Sequence, residues 1–280
     1  MNNKNRERYL LVLSLPILIL LVAVSIVGIY TKNFYWRETS NWATQGIAQD
    51  MVDLFFISPI LLVTSIMAYK RNLIGTLLWG GTNLFIIYTF AIYCFAVHFN
   101  ALFVPYCMVF GLSIYSFVYF LYISLTSTQK FSPIKDSSRK ATAVFLIVIA
   151  VVFYLLWLSE IIPANLNNSI PKSLVNTGLL TNPVHVIDLA VFLPGIIITA
   201  ALLLKNKTAG LLLTLPVLVF CIEMSFSIAA LMIVMKQRNE MADLTPLYFM
   251  GIITLIGLGF LALILKGFKN STSSHYKIIS

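Results

Sequence analysis

Charge is what this sequence lacks. Only 10% of its 280 residues are Asp, Glu, Lys or Arg, where an ordinary soluble domain has about 25%. With 59% apolar residues and a mean hydropathy of +0.91, a water-soluble globular fold is excluded. Cysteine is scarce as well. Cys94, Cys107 and Cys221 form no disulfide framework and no C-x-x-C pair, which argues against a thiol oxidoreductase. Cys94 and Cys107 could approach each other across a short turn, although buried free thiols are the plainer reading. The three histidines, one of them His275 near the C-terminus, are too few for paired haem ligation or a His-rich zinc hydrolase site. No lysine stands in the middle of an apolar run to carry retinal, and no G-x-x-x-x-G-K-[ST] occurs. No retinal, haem or nucleotide site is therefore expected.

What the sequence has instead is apolar runs. Eight of them lie near 9–30, 51–69, 73–97, 101–125, 141–162, 184–204, 209–235 and 246–266, each about the 20 residues that cross a hydrocarbon core. The expected fold class is an all-α polytopic membrane protein with eight transmembrane helices. The first run follows Lys4, Arg6 and Arg8 like a signal peptide, but it is too long for one and reads as an uncleaved first span. Lys and Arg accumulate in cytoplasmic loops, so eight spans put both termini inside. On that assignment only Lys32, Arg37, Lys172, Lys236 and Arg238 of the 19 Lys and Arg residues face outward. The formal charge of +9 is then a topology signal and an attraction to anionic lipid, with no nucleic-acid partner implied. The bilayer is the expected partner in the cytoplasmic membrane.

The runs are not independent. Asp53, Pro59, Thr64, Lys70 and Gly75 recur with the same spacing as Asp188, Pro194, Thr199, Lys205 and Gly210. Further on the register shifts, so that Gly111 matches Gly251. The chain reads as two parallel four-helix repeats, 1–126 and 141–268, joined by a cytoplasmic linker 127–140 and followed by a tail 269–280. An even number of spans per repeat makes the repeats parallel. Two polar stretches, 31–48 and 163–182, are the long outer loops of this arrangement, placed to cap the outer face.

Few residues are able to carry chemistry. Asn182-Pro183 reads as a helix start, which puts His185 in the first turn and Asp188 three residues on, on the same face and able to orient the imidazole. Across the repeat His185 matches Asp50 and Asp188 matches Asp53. If the pseudo-twofold brings the two helices together, Asp50, Asp53, His185 and Asp188 converge at the outer boundary, with Glu160 beside them. Such a set suits a divalent metal, a proton relay or a cationic or hydroxyl-bearing ligand. The alternative is that acids at helix starts only complement the helix dipole and anchor the helices. Pro59 with Thr64, and Pro194 with Thr199, shape their helices, each Thr sharing a face with the Asp eleven residues before it. Glu223 lies deep inside the seventh run, where intramembrane acids are commonly functional, and Ser225 or Ser227 is its nearest expected partner. Trp36, Trp42, Trp79 and Trp157 read mostly as interfacial belt residues.

Trp157-Leu-Ser-Glu-Ile-Ile-Pro163, Thr181-Asn-Pro-Val-His-Val-Ile-Asp-Leu189 and Gln49-Asp-Met-Val-Asp-Leu54 resemble a family of uncharacterised bacterial multi-pass membrane proteins. The resemblance runs over most of the chain and implies a prokaryotic cytoplasmic membrane, but no activity. The leading expectation is small-solute or ion binding and transport through an outward-facing acidic cavity between the repeats. Two others stand beside it: a membrane-embedded metal-dependent enzyme acting on a lipid or envelope substrate, with His185 and the acids as ligands, and a structural or sensory subunit.

Overall fold

In the computed structural model, which describes residues 8–126, 135–240 and 244–276, every regular element is helical and no strand is present among the described residues. Lys4 and Arg6, linker residues 127–134, residues 241–243 and Lys277 onward lie outside them. Eight helices are long and apolar enough to cross a membrane. They are α1 (Arg8–Tyr30), α2 (Ser40–Tyr69), α3 (Leu73–Ala96), α4 (Phe103–Leu125), α5 (Asp136–Leu166), α7 (Pro183–Leu204), α8 (Thr208–Gln237) and α9 (Thr245–Tyr276). A short α6 (Lys172–Thr177) lies between α5 and α7. The chain thus has the make-up of a multi-pass membrane protein.

Two stretches expected as loops are half helix. Stretch 31–48 is loop only as far as Thr39, whose side chain accepts the Trp42 backbone N–H and starts α2. Ser40–Gln49 reads as loop by polarity, yet its polar groups serve one face of a helix. Stretch 163–182 holds the end of α5 and all of α6. The linker likewise ends early, because α5 begins at Asp136, and the expected tail is helical as far as Tyr276.

Pro59 and Pro194 do not simply kink their helices. Each sits at the first turn after a π-helical segment, Asp53–Ile57 in α2 and Asp188–Phe192 in α7. The widened turn absorbs the ring and the missing N–H of proline. Thr64 donates to the Ile60 carbonyl of its own helix at 2.7 Å. At the ends of these helices Arg71 and Asn206 take left-handed backbone angles (φ 60° and 53°). After those turns Gly75 lies against Met67 and Gly210 against Leu202, with no room for a Cβ at either. Asn33 and Asn168 are also left-handed, just past the ends of α1 and α5.

α3 and α8 form the centre of the bundle. α2 packs on α1, α3 and α8; α7 packs on α5, α8 and α3; α4 covers α1 and α3; α9 covers α8. Of the most apolar window of α3, 72% is buried, against 33% in α1 and 22% in α9, so α3 is the helix that lipid touches least. Four of its polar side chains bond to neighbouring helices. Trp79 Nε1 donates to Ser14 Oγ of α1 at 2.7 Å, Thr82 Oγ1 to Glu223 Oε1 of α8 at 2.7 Å, Asn83 Nδ2 to the Ser113 carbonyl of α4 at 2.8 Å, and Tyr93 Oη to Asp50 Oδ1 of α2 at 2.8 Å. Trp79 is therefore a core residue and not a belt residue. At the far end of α7, buried Arg139 donates to the Leu203 and Leu204 carbonyls at 2.6 Å, neutralising a helix C-terminus.

The contact between α3 and α8 depends on Gly81. A Cβ there would collide with Val219 and stand 2.6 Å from the Pro216 carbonyl oxygen. Gly81→Val should therefore destabilise the protein by about 1–3 kcal/mol, read as a lower unfolding temperature in detergent. Gly111→Ala, where a Cβ meets nothing within 4 Å, should leave that temperature unchanged.

Candidate functional site: a chamber between α2, α3, α7 and α8

The polar residues of α2 and the loops around it meet at one end of the bundle. Trp42 Nε1 donates to the Ala96 carbonyl at 2.9 Å, and Arg37 to the Phe99 carbonyl at 2.6 Å. Glu38 accepts from the His98 backbone N–H at 2.7 Å, with the His98 ring 2.9 Å away. Thr39 Oγ1 reaches across to the Thr177 carbonyl at 3.0 Å, and Ser40 Oγ donates to Glu240. Beneath this cap lies a chamber of about 520 Å³, in the range of small-molecule sites. It is walled by α2, α3, α5, α7 and α8, and residues such as Ile92, Phe153, Phe192, Phe220, Met224 and Ile228 make its body apolar. Glu38, Asp188 and Glu240 line it, and among the described residues no Lys, Arg or His does.

The expectation of an acidic cavity is corrected in this respect: the chamber is apolar with a few acids. Of the six acid and histidine candidates only Asp188 lines it. The convergence of Asp50, Asp53, His185 and Asp188 does not occur. α2 and α7 flank the chamber from different sides and pack on the central pair, and Asp188 lines the chamber while Asp50 and Asp53 do not. Among the described residues no three His, Cys, Asp or Glu side chains are grouped as a metal site requires, so these donors do not assemble the metal centre that the enzyme reading needs.

Asp50 is a structural tie. It is 1% exposed and accepts from Tyr35 Oη at 2.7 Å and Tyr93 Oη at 2.8 Å. Gly28 of α1 makes room for it, since a Cβ there would collide with its Oδ2. Burial, and then the Asp50 charge, push the Tyr35 phenol well above its usual pKa, which keeps it a donor. Asp53 accepts from Gln49 Nε2 at 2.9 Å through Oδ1, while its Oδ2 has no partner.

His185 is not oriented by Asp188. Its Nε2 stands 3.7 Å from Glu160 Oε2, beyond hydrogen-bond range, and its ring lies 4.6 Å from that of Trp157. Glu160 accepts from the Ser173 backbone N–H at 2.8 Å and so anchors α6. Asp188 instead accepts from Trp157 Nε1 at 2.8 Å, with the Tyr88 hydroxyl beside it but outside hydrogen-bond geometry. The cause is that Trp157 of α5 fills the space between the two α7 side chains. Trp42 and Trp157 thus face the site, and of the four tryptophans Trp36 is the exposed one.

Glu223 is paired with Thr82 and not with Ser225 or Ser227. Ser225 contacts Thr254 at 2.9 Å, and Ser227 donates to Gln49 Oε1 at 2.8 Å. Thr199 is buried on α7. The cysteines are free; Cys94 and Cys107 are neighbours, and Cys221 lines the chamber. Tyr35, Thr82 and Tyr93 are neutral and have no charge to mark them in the sequence, and Ser227, expected beside Glu223, bonds Gln49 instead.

Compared with protein-family models, curated proteins and solved structures, the chain finds no match. Geometry alone therefore carries the functional reading.

Asp50→Asn should cost about 1–3 kcal/mol, because two buried phenols then share one carbonyl acceptor. Combined with Tyr93→Phe it should cost less than the two single changes added together, since they break one shared interaction. Chemical or thermal unfolding of the four-member cycle in detergent measures both effects.

Proposed function

We propose that this protein binds and carries a small solute across a prokaryotic cytoplasmic membrane, as a member of the bacterial multi-pass family it resembles. On this reading it is built from two parallel four-helix repeats that enclose the chamber, with both termini cytoplasmic and the chamber opening outward. The duplication is supported by local geometry that recurs at the same offset as the sequence frame. The π turns at Asp53 and Asp188, the left-handed residues Asn33 and Asn168, and Arg71 and Asn206 all keep it. Packing supports it too: α2 leans on α8 as α7 leans on α3, the pattern that a twofold axis between α3 and α8 produces. The Lys and Arg bias supports the orientation.

One observation selects the solute class. The chamber is apolar and aromatic, carries Asp188 in its wall and Glu240 at its rim, and has no cationic lining residue among those described. A cation with an apolar body is complementary to it, since aromatic faces and a carboxylate both favour positive charge. An anion of the same shape would meet carboxylates with nothing to offset them.

The test uses two probes of matched shape and opposite charge, tetraphenylphosphonium and tetraphenylborate, with the full-length protein in nanodiscs. Saturable binding of the cation alone is expected, weakened about tenfold by Asp188→Asn, equivalent to ~1.4 kcal/mol. Equal binding of the two ions, or cation binding indifferent to Asp188 and to filling the chamber by Ile228→Trp, would sink the assignment.

A further inference from the structure

Two acids lie behind the chamber wall and take no part in it. Asp53 is 1% exposed and Glu223 is 5% exposed. Each has one bonded oxygen, Asp53 Oδ1 to Gln49 and Glu223 Oε1 to Thr82. Each has a second oxygen, Asp53 Oδ2 and Glu223 Oε2, that is buried without a partner. Burying an ionised carboxylate without a cation is among the costliest arrangements in a protein, and among the described residues neither acid has an ion-pair partner.

The register brings them together. Ser227 of α8 donates to Gln49 of α2 at 2.8 Å, and both residues line the chamber. One helical turn from Gln49 is Asp53, and one turn back from Ser227 is Glu223. The two helices run antiparallel, so both steps lead the same way, behind the chamber wall, and the acids arrive at one level on facing helices. They are close enough to interact electrostatically. Among the described residues the surroundings bring no cation. α2 itself adds Asp50, already held by Tyr35 and Tyr93; α3 adds Thr82 and Tyr93; α1 brings Gly28 against Asp50. α8 contributes Cys221 and hydroxyls, α9 the Thr254 hydroxyl, and α7 Asp188, tied to Trp157.

We propose that Asp53 and Glu223 form a buried proton-binding site behind the chamber wall, with the Gln49–Ser227 hydrogen bond as the door between the two. A proton on the pair supplies the donor that the empty oxygens lack and removes the uncompensated charge. Breaking the door admits water from the chamber. Asp53 opens the π turn of α2, a segment type that favours local rearrangement at functional sites. The inference rests on burial and register, not on what fills the chamber.

The experiment is infrared spectroscopy of the full-length protein in detergent at neutral pH, with no solute present, so a chamber that binds no probe leaves the outcome readable. Wild type is expected to show the carbonyl absorption of a protonated carboxyl group, shifting in D2O. The Asp53→Asn/Glu223→Gln double variant should lose intensity there, whereas Asp136→Asn, at an exposed carboxylate, should not. A wild type without that absorption, or a double variant that retains it in full, overturns the proposal. Should the double variant fail to fold, Ser227→Ala decides: it keeps both acids and removes only the door. Faster deuteration of the band than in wild type supports the site, and an unchanged rate overturns it.

Discussion

Within a bilayer there is no water to satisfy a stray polar group, so each one on a central helix must find a partner on a neighbour. α3 is governed by this constraint. Trp79, Thr82, Asn83 and Tyr93 bond to α1, α8, α4 and α2 respectively. Four partners around one helix fix its rotation, and that rotation turns Gly81 toward Val219 and Pro216 of α8. Close approach of the two backbones then lets a residue as short as Thr82 reach Glu223. The same two helices line the chamber through the larger side chains Tyr88, Phe220 and Met224.

Hydropathy made the eight crossings legible, because length and apolarity are local properties of each run. The boundary of α2 was not legible by polarity. Asn41, Gln45 and Gln49 look like loop residues, and only the tertiary structure supplies the chamber and the cap that they face. The start of α7 was legible, since Asn182 accepts the Val184 backbone N–H at 3.0 Å as its position before Pro183 implies. The pairing of His185 with Asp188 was not. Spacing says that two side chains share a face, but the presence of Trp157 between them depends on α5 packing beside α7. Glu223 was identifiable by depth, while its partner lay 141 residues away on another helix.

The acids also show why residue type alone misdirects. Asp50, Asp53 and Asp188 are equally buried in practice, yet their unfilled valences differ. Asp50 has a phenol on each oxygen and behaves as a rivet between a loop, α2 and α3. Asp188 has a Trp157 donor and a place in the chamber wall. Asp53 keeps an empty oxygen sealed from the chamber. What separates structural from chemical roles here is therefore the count of satisfied oxygens, a property of the fold.

On the proposed duplication, that contrast bears on how the two halves divide the work. Asp53 and Asp188 each open a π turn ahead of a proline, so the backbone presents both carboxyls in the same way. Their surroundings differ because Gln49 and Ser227 close over Asp53, whereas Asp188 is left facing the chamber. Glu223 sharpens the difference, since Tyr88 stands at the corresponding place in α3 and lies beside Asp188. One side then has an acid next to a phenol at the chamber wall; the other has two acids next to each other behind it. On this reading the first arrangement suits contact with a solute and the second suits holding a proton. The two are linked through α8, which carries Met224 and Ser227 on the chamber and Glu223 behind them. On the proposed reading, a movement of α8 relative to α2 and α3 changes the chamber volume and the Gln49–Ser227 seal together, which is the coupling that a carrier driven by protons requires.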